Sequence, residues 1–227
     1  MGRGLRMIPR WLAGMAFTAW RYLWRITALH RRDDDITDAV EGPPIPEELQ
    51  DELQRIDDGF GHRFHRRFHV NVVDASVAPE EVMRALAGNP NLAAPVEVAV
   101  FRKTKGEPEQ SAVGDEFVVR MPGPWDGPVR VVDQTPTSFR FATLQGHLEA
   151  GQIQFSLEEV DGHLRFLIES WTTAGTRLSA VLYDRVHVMK EMQFHMWTFY
   201  CERITRLTGG TLADGVWVTT ERQVEGA

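Results

Sequence analysis

The sequence predicts an α+β fold: a strongly curved antiparallel sheet around one long C-terminal helix, with an amphipathic helix in front of it. Three observations predict this. After residue 59 the order of elements is strand, helix, a run of turn-bounded strands, then one long helical segment. A sheet with one apolar face must be covered, and only that last segment is long enough to cover it. Seven Trp and twelve Phe in 227 residues call for either a large core or a ring-lined cavity.

The first element is basic. Residues 1–32 hold seven Arg and no Asp or Glu, leaving 18 basic against 32 acidic residues in the remainder, a balance of −14. So acidic a body excludes general nucleic-acid binding, which needs a basic surface. From Pro9, a suitable first helical residue, nothing breaks a helix before Asp33-Asp34-Asp35. On a helical wheel Arg10, Arg21, Arg25 and Arg32 fall within about 60°. Ile8, Leu12, Met15, Ala19, Tyr22, Leu23 and Ile26 lie opposite, with Trp11, Trp20 and Trp24 nearer the borders. The apolar run is too short to span a bilayer, and Trp20-Arg21-Tyr22 is no small-residue cleavage site. The expectation is a helix at an anionic membrane surface, bound through Arg10, Trp11, Trp20, Arg21, Trp24 and Arg25. Packing on the chain's own domain or on a membrane-associated protein partner is the competing use. One cysteine, Cys201, excludes an internal disulfide framework and suits a cytoplasmic, peripheral-membrane location.

Residues 33–58 read as an acidic, Pro-rich linker with a short helix over EELQDELQRIDDG. The domain proper is placed at 59–208. Phe68 to Asp74 alternates as a strand, and Pro79-Glu80-Glu81 opens a helix that ends at Gly88. Strands are expected at 95–103, 113–121, 127–135, 138–144, 151–160 and 163–173, with hairpin signals at PGPWDGP and Asp161-Gly162. Thr176 to Leu207 repeats apolar residues at three- and four-residue steps, and Gly209-Gly210 ends it. Residues 209–227 are left as a tail. A cavity of roughly 300 Å³ or more between sheet and helix is the natural ligand site.

The stretch Thr143-Leu144-Gln145-Gly146-His147-Leu148-Glu149-Ala150-Gly151, continued to Phe155, resembles the TLxGHxExGxxxF signature of the DUF1990 family. That family is grouped with the START/Bet v 1-like (SRPBCC) superfamily. Phe166 to Trp171 and the helix bearing Lys190, Gln193 and Trp197 are similar to the family's C-terminal half, so the likeness covers about residues 58–207. It implies a helix-grip fold with a cavity for apolar or amphipathic ligands, and it implies no reaction.

Within that frame the ligand-binding candidates are Phe141, His147, Phe155, Glu169, Trp171, Met189, Met192 and Met196. His147, Glu149 and Glu169 are also the candidate acids and bases. A tight strand corner for the His147 motif, and a solvent-facing ion pair for Glu169, are the plainer readings. His187, Glu191 and His195 share a helix face with Asp184, Thr198 and Glu202, which reads as a solvated stripe. His62, His65 and His69 stand among Arg63, Arg66 and Arg67 as an exposed strand entry. Neither set is read as a metal site, and no cofactor motif is found. The leading expectation is a binding or carrier protein for a lipid- or isoprenoid-like molecule. A cyclase- or isomerase-like enzyme and a protein-interaction module are the alternatives.

Overall fold

The computed structural model describes residues 27–121, 126–176 and 188–224, with the backbone alone for 188–192. Its elements are β1 (Leu29–Ile36), β2 (Phe60–Val73), α1 (Pro79–Gly88), β3 (Val100–Lys105), β4 (Glu116–Arg120), β5 (Asp126–Thr135), β6 (Ser138–Thr143), β7 (Glu149–Val160), β8 (His163–Ala174), α2 (Val188–Thr208) and β9 (Thr211–Gln223). They form one nine-stranded sheet in the order β1-β9-β2-β8-β7-β6-β5-β4-β3. Every pairing is antiparallel except β1 with β9.

Alternation decides which side chains go inside. In β8, Leu164, Phe166, Ile168, Ser170 and Thr172 are buried, while the residues between them face out. In β2, Arg66, Phe68, Val70 and Val72 are buried in the same way. Phe101 of β3, Val119 of β4 and Ser170 of β8 border one void, which requires the sheet to curl round α2. The helix fills the concavity with Phe194, Met196, Trp197, Tyr200, Cys201 and Ile204. The β7–β8 hairpin closes on Asp161 and Gly162 with φ of 52° and 78°, the two positive values that a two-residue type I′ turn demands.

Several expectations are corrected. The predicted helix over residues 9–32 does not reach residue 32, because Leu29–Ile36 is strand β1; residues 9–26 lie outside the described residues. Arg32 is therefore paired with Asp34 at 2.6 Å rather than standing in an arginine arc. The expected tail forms β9 between β1 and β2, since Val216 and Val218 alternate into the core while Trp217 faces out. His30, Trp217 and His69 stack in a row across β1, β9 and β2, with ring centroids 4.0 and 6.1 Å apart.

Residues 40–58 are not a free spacer but a strap on the outer face of β5–β7. Its expected helix is two 3-10 turns, Glu47–Leu49 and Ile56–Asp58. Leu53 packs on Val132, Ala142 and Leu144. Arg130 donates to the carbonyls of Leu49 and Asp51, at 3.2 and 2.6 Å, and to Glu116 at 2.8 Å. β3 begins at Val100 and not at residue 95, because Pro95 O accepts from the amides of Val98 and Ala99 and closes a helical turn. Thr198, expected on a solvated stripe, is fully buried and bonds to His195 O at 3.0 Å.

Candidate functional site

The corner between β6 and β7 carries the His147 motif, and a residue far upstream organises it. Buried Gln54 donates from Nε2 to the carbonyls of His147 and Glu149, at 3.0 and 3.3 Å, and accepts from Gly146 N at 3.1 Å. Thr143 Oγ1 donates to Gln54 O at 2.8 Å and accepts from Gly151 N at 2.9 Å. A Cβ on Gly151, whose φ is +142°, would lie 2.0 Å from Trp171 O, so only glycine lets β7 and β8 meet there. The motif is thus a built corner in its own right, as its plainer reading supposed.

His147 and Glu149 nevertheless border the space under the sheet. His147 Nδ1 accepts from the Glu149 amide at 2.9 Å, with the Glu149 carbonyl 3.0 Å from the same nitrogen. Burial pushes the His147 pKa below the ordinary value against the opposing pull of the Glu149 charge, and the ring is neutral at pH 7. Among the described residues no serine or cysteine side chain hydrogen-bonds to His147. Glu149 Oε2 accepts from Gln193 Nε2 at 2.8 Å, and its Oε1 lies 3.7 Å from Arg66 Nη1. Arg66 also reaches Thr172 Oγ1 at 3.4 Å and lies over the Phe64 ring at 4.4 Å.

The inner void holds about 100 Å³. Phe101, Phe141, Phe155, Met196 and Trp197 make its apolar wall, and Glu149, Ser170, Thr172 and Gln193 gather polar groups along it. It is smaller than the sequence led one to expect. The reason is a chain of rings: Phe139 stacks on Phe155 at 4.8 Å, Phe117 and Phe139 meet Phe141 edge-on, and Trp197 and Tyr200 close on Phe155. A second void of about 350 Å³ lies beyond Arg66, bordered by Arg31, Asp33, Asp35, Phe194 and Arg222.

Of the ligand candidates, Phe141, His147, Phe155 and Met196 border the inner void. Glu169 and Trp171 do not, which corrects their assignment: they sit on the outer face. There His65 is held between Glu169 and Glu221 at 2.7 and 2.8 Å and stacks on Trp171. The Met189 and Met192 side chains lie outside the described residues, as do Arg10, Trp11, Trp20, Arg21, Trp24 and Arg25. The unforeseen members are Arg66, Ser170, Thr172 and Gln193. The period-two step from Phe68 back to Arg66, and from Ile168 on to Ser170 and Thr172, was the signal that placed three of them inside.

The family model described as "Domain of unknown function (DUF1990)" matches residues 60–202. No curated protein matches the chain. Among similar solved structures is Ara h 8.0201, at 14% identity and a TM-score of 0.41, covering 63% of this chain and 99% of that one. Another is the di-domain ARO/CYC StfQ from the steffimycin biosynthetic pathway, at 12% identity and a TM-score of 0.44, covering 68% and 53%. The Aha1 dimer from Colwellia psychrerythraea matches at 15% identity and a TM-score of 0.41, covering 63% and 96%. Among the described residues no helix is long and apolar enough to cross a membrane.

Proposed function

The chain belongs to the DUF1990 family, and from that premise we propose that it binds a small, largely apolar molecule between its sheet and α2. The observation that carries this reading is the inner void itself. Side chains from β3 to β8 and from α2 surround it with rings and aliphatic groups, and a few polar groups lie along its wall. An apolar concavity with few polar groups is the common form of a small-molecule site. Its modest volume favours a compact ligand, or one end of a longer one.

The test uses N-phenyl-1-naphthylamine, an uncharged probe whose fluorescence rises on leaving water. Wild type is expected to enhance it and to melt at a higher temperature in its presence, as any ligand of the native state requires. Val129 borders the void and is 4% exposed. Val129→Phe fills the space and is expected to abolish the enhancement while the far-ultraviolet spectrum is kept. Equal enhancement by the filled variant would place the probe elsewhere and end the proposal.

The membrane tether rests on composition. Residues 1–26 contain five Arg and no acid, and each basic residue near an anionic surface contributes about 1 kcal/mol. We expect the full chain to co-sediment with vesicles containing phosphatidylserine, less at high salt but still measurably. A chain that starts at residue 27 should stay in the supernatant. Equal sedimentation of both would remove the tether.

A further inference from the structure

His147 has one ring nitrogen to spare. The amide and carbonyl of Glu149 hold Nδ1, at 2.9 and 3.0 Å, whereas Nε2 has no hydrogen-bond partner among the described residues. Gly127 shows which way that nitrogen lies. It stands opposite Val119 and two residues before Val129, so its inward side is the face on which those two valines border the inner void. A Cβ on Gly127 would lie 2.8 Å from His147 Nε2 and 3.4 Å from the Met121 methyl. The Nε2 edge of the ring is therefore turned inward, over bare backbone that glycine leaves clear. Ser170 of β8 borders the same void, is 6% exposed, and its hydroxyl has no hydrogen-bond partner among the described residues. Glu149, the charged member of this wall, is by contrast already engaged by Gln193 at 2.8 Å. An imidazole nitrogen and a hydroxyl thus stand ready for an occupant.

We propose that the inner void takes one aromatic ring bearing a hydroxyl, which bonds to His147 Nε2 while the ring packs among Phe101, Phe141, Phe155 and Trp197. The proposal rests on the binding reading above and names its ligand class. Size comes first: a void of about 100 Å³ is on the scale of the roughly 150 Å³ apolar cavity that takes benzene, which limits it to a single ring. The walls come second, because a ring set edge-on against other rings gains beyond the apolar area it buries. The hydroxyl follows from the nitrogen. Nε2 donates or accepts according to the tautomer, and a phenolic hydroxyl can do either. Burial holds the His147 pKa below its ordinary value, so an ionised head would give up its hydration to face an uncharged ring.

Phenol and toluene have one shape and differ by the hydroxyl. Titration calorimetry of the full chain at pH 7 is expected to show phenol binding at least as tightly as toluene, although toluene leaves water more readily. His147→Asn keeps an acceptor for the Glu149 amide and removes Nε2; Gly127→Ala keeps the imidazole and sets a methyl against that nitrogen. Each is expected to lower the ratio of phenol to toluene affinity about tenfold, the worth of one hydrogen bond. In long-range proton–nitrogen spectra of the wild type, the His147 Nε2 signal should move with phenol and stay in place with toluene. Toluene binding the wild type more tightly than phenol overturns the proposal, as does an unchanged ratio in either variant with native circular dichroism. If neither variant folds, the wild-type Nε2 signal decides alone, and one that ignores phenol overturns the proposal. These outcomes leave the binding reading standing. Binding of neither compound, together with no response to the naphthylamine probe, sinks the binding reading itself.

Discussion

Tyr200 carries a hydroxyl that no described residue answers. The residue is fully buried among Phe155, Phe166 and Trp197, its oxygen has no hydrogen-bond partner among the described residues, and burial pushes the phenol far above its usual pKa. Leaving such a group unsatisfied costs about 1–3 kcal/mol. Tyr200→Phe is therefore expected to raise stability by about 1 kcal/mol or more in urea, with an unchanged denaturant slope; a loss instead would reveal a partner for the hydroxyl. His147 makes a second residue-scale prediction. Its folded pKa is lowered by burial, so below the ordinary imidazole value of about 6.5 the unfolded chain holds more protons than the folded one. Stability then falls as pH drops from 7 toward 5. His69, also lowered chiefly by burial, adds to the slope with the same sign. His147→Asn keeps an acceptor for the Glu149 amide and should flatten the melting temperature against pH over that range; an unchanged slope would deny His147 its neutral, buried state. Single residues were the least legible scale. The alternation that separates Ser170 from Glu169 and Trp171 was plain, yet which face was inner depended on strands far away. Arg66 was masked by the charged neighbours Arg63 and Arg67, although its parity with Phe68, Val70 and Val72 put it inside.

Among elements, those with a strong local period were legible and those fixed by partners were not. The α1 helix, the β7–β8 turn and the end of α2 follow from proline, Asp-Gly and glycine chemistry close in sequence. β1 has no such signal: LHRRDDDI lacks a regular apolar alternation and is held by pairs such as Arg222 with Asp35, both carboxylate oxygens at 2.8 Å. That hydrogen bond, with the arginine charge, keeps the Asp35 carboxyl below its usual pKa. Charges along an edge strand also discourage pairing with a further chain. The strap is hidden in the sequence because prolines suggest a spacer, whereas Leu53 and Arg130 tie it to the sheet. The element-scale prediction compares two truncations. Starting the chain at residue 41 removes β1 and Val40, which is 3% exposed. Relative to a chain starting at residue 27 it should lose on the order of 3 kcal/mol, from apolar burial alone. Equal urea midpoints would show that β1 adds nothing to the fold.

For the whole molecule, the long terminal helix under an antiparallel sheet was legible because so few elements are long enough to cover it. The number of strands was not, because β1 and β9 complete the sheet from opposite ends of the chain. Their pairing brings Asp35 to Arg222, 187 positions apart. This has a consequence for how the protein is made. β9 occupies a place between β1 and β2, so during synthesis β1 and the facing edge of β2 stay open until Thr211–Gln223 has been made. At roughly 5–20 residues per second that wait is roughly 10–40 s. The β9 segment acts as a latch: a premature stop codon just after α2 would release a product with β1 unpaired and the β2 edge open, prone to pairing with its neighbours instead of with itself.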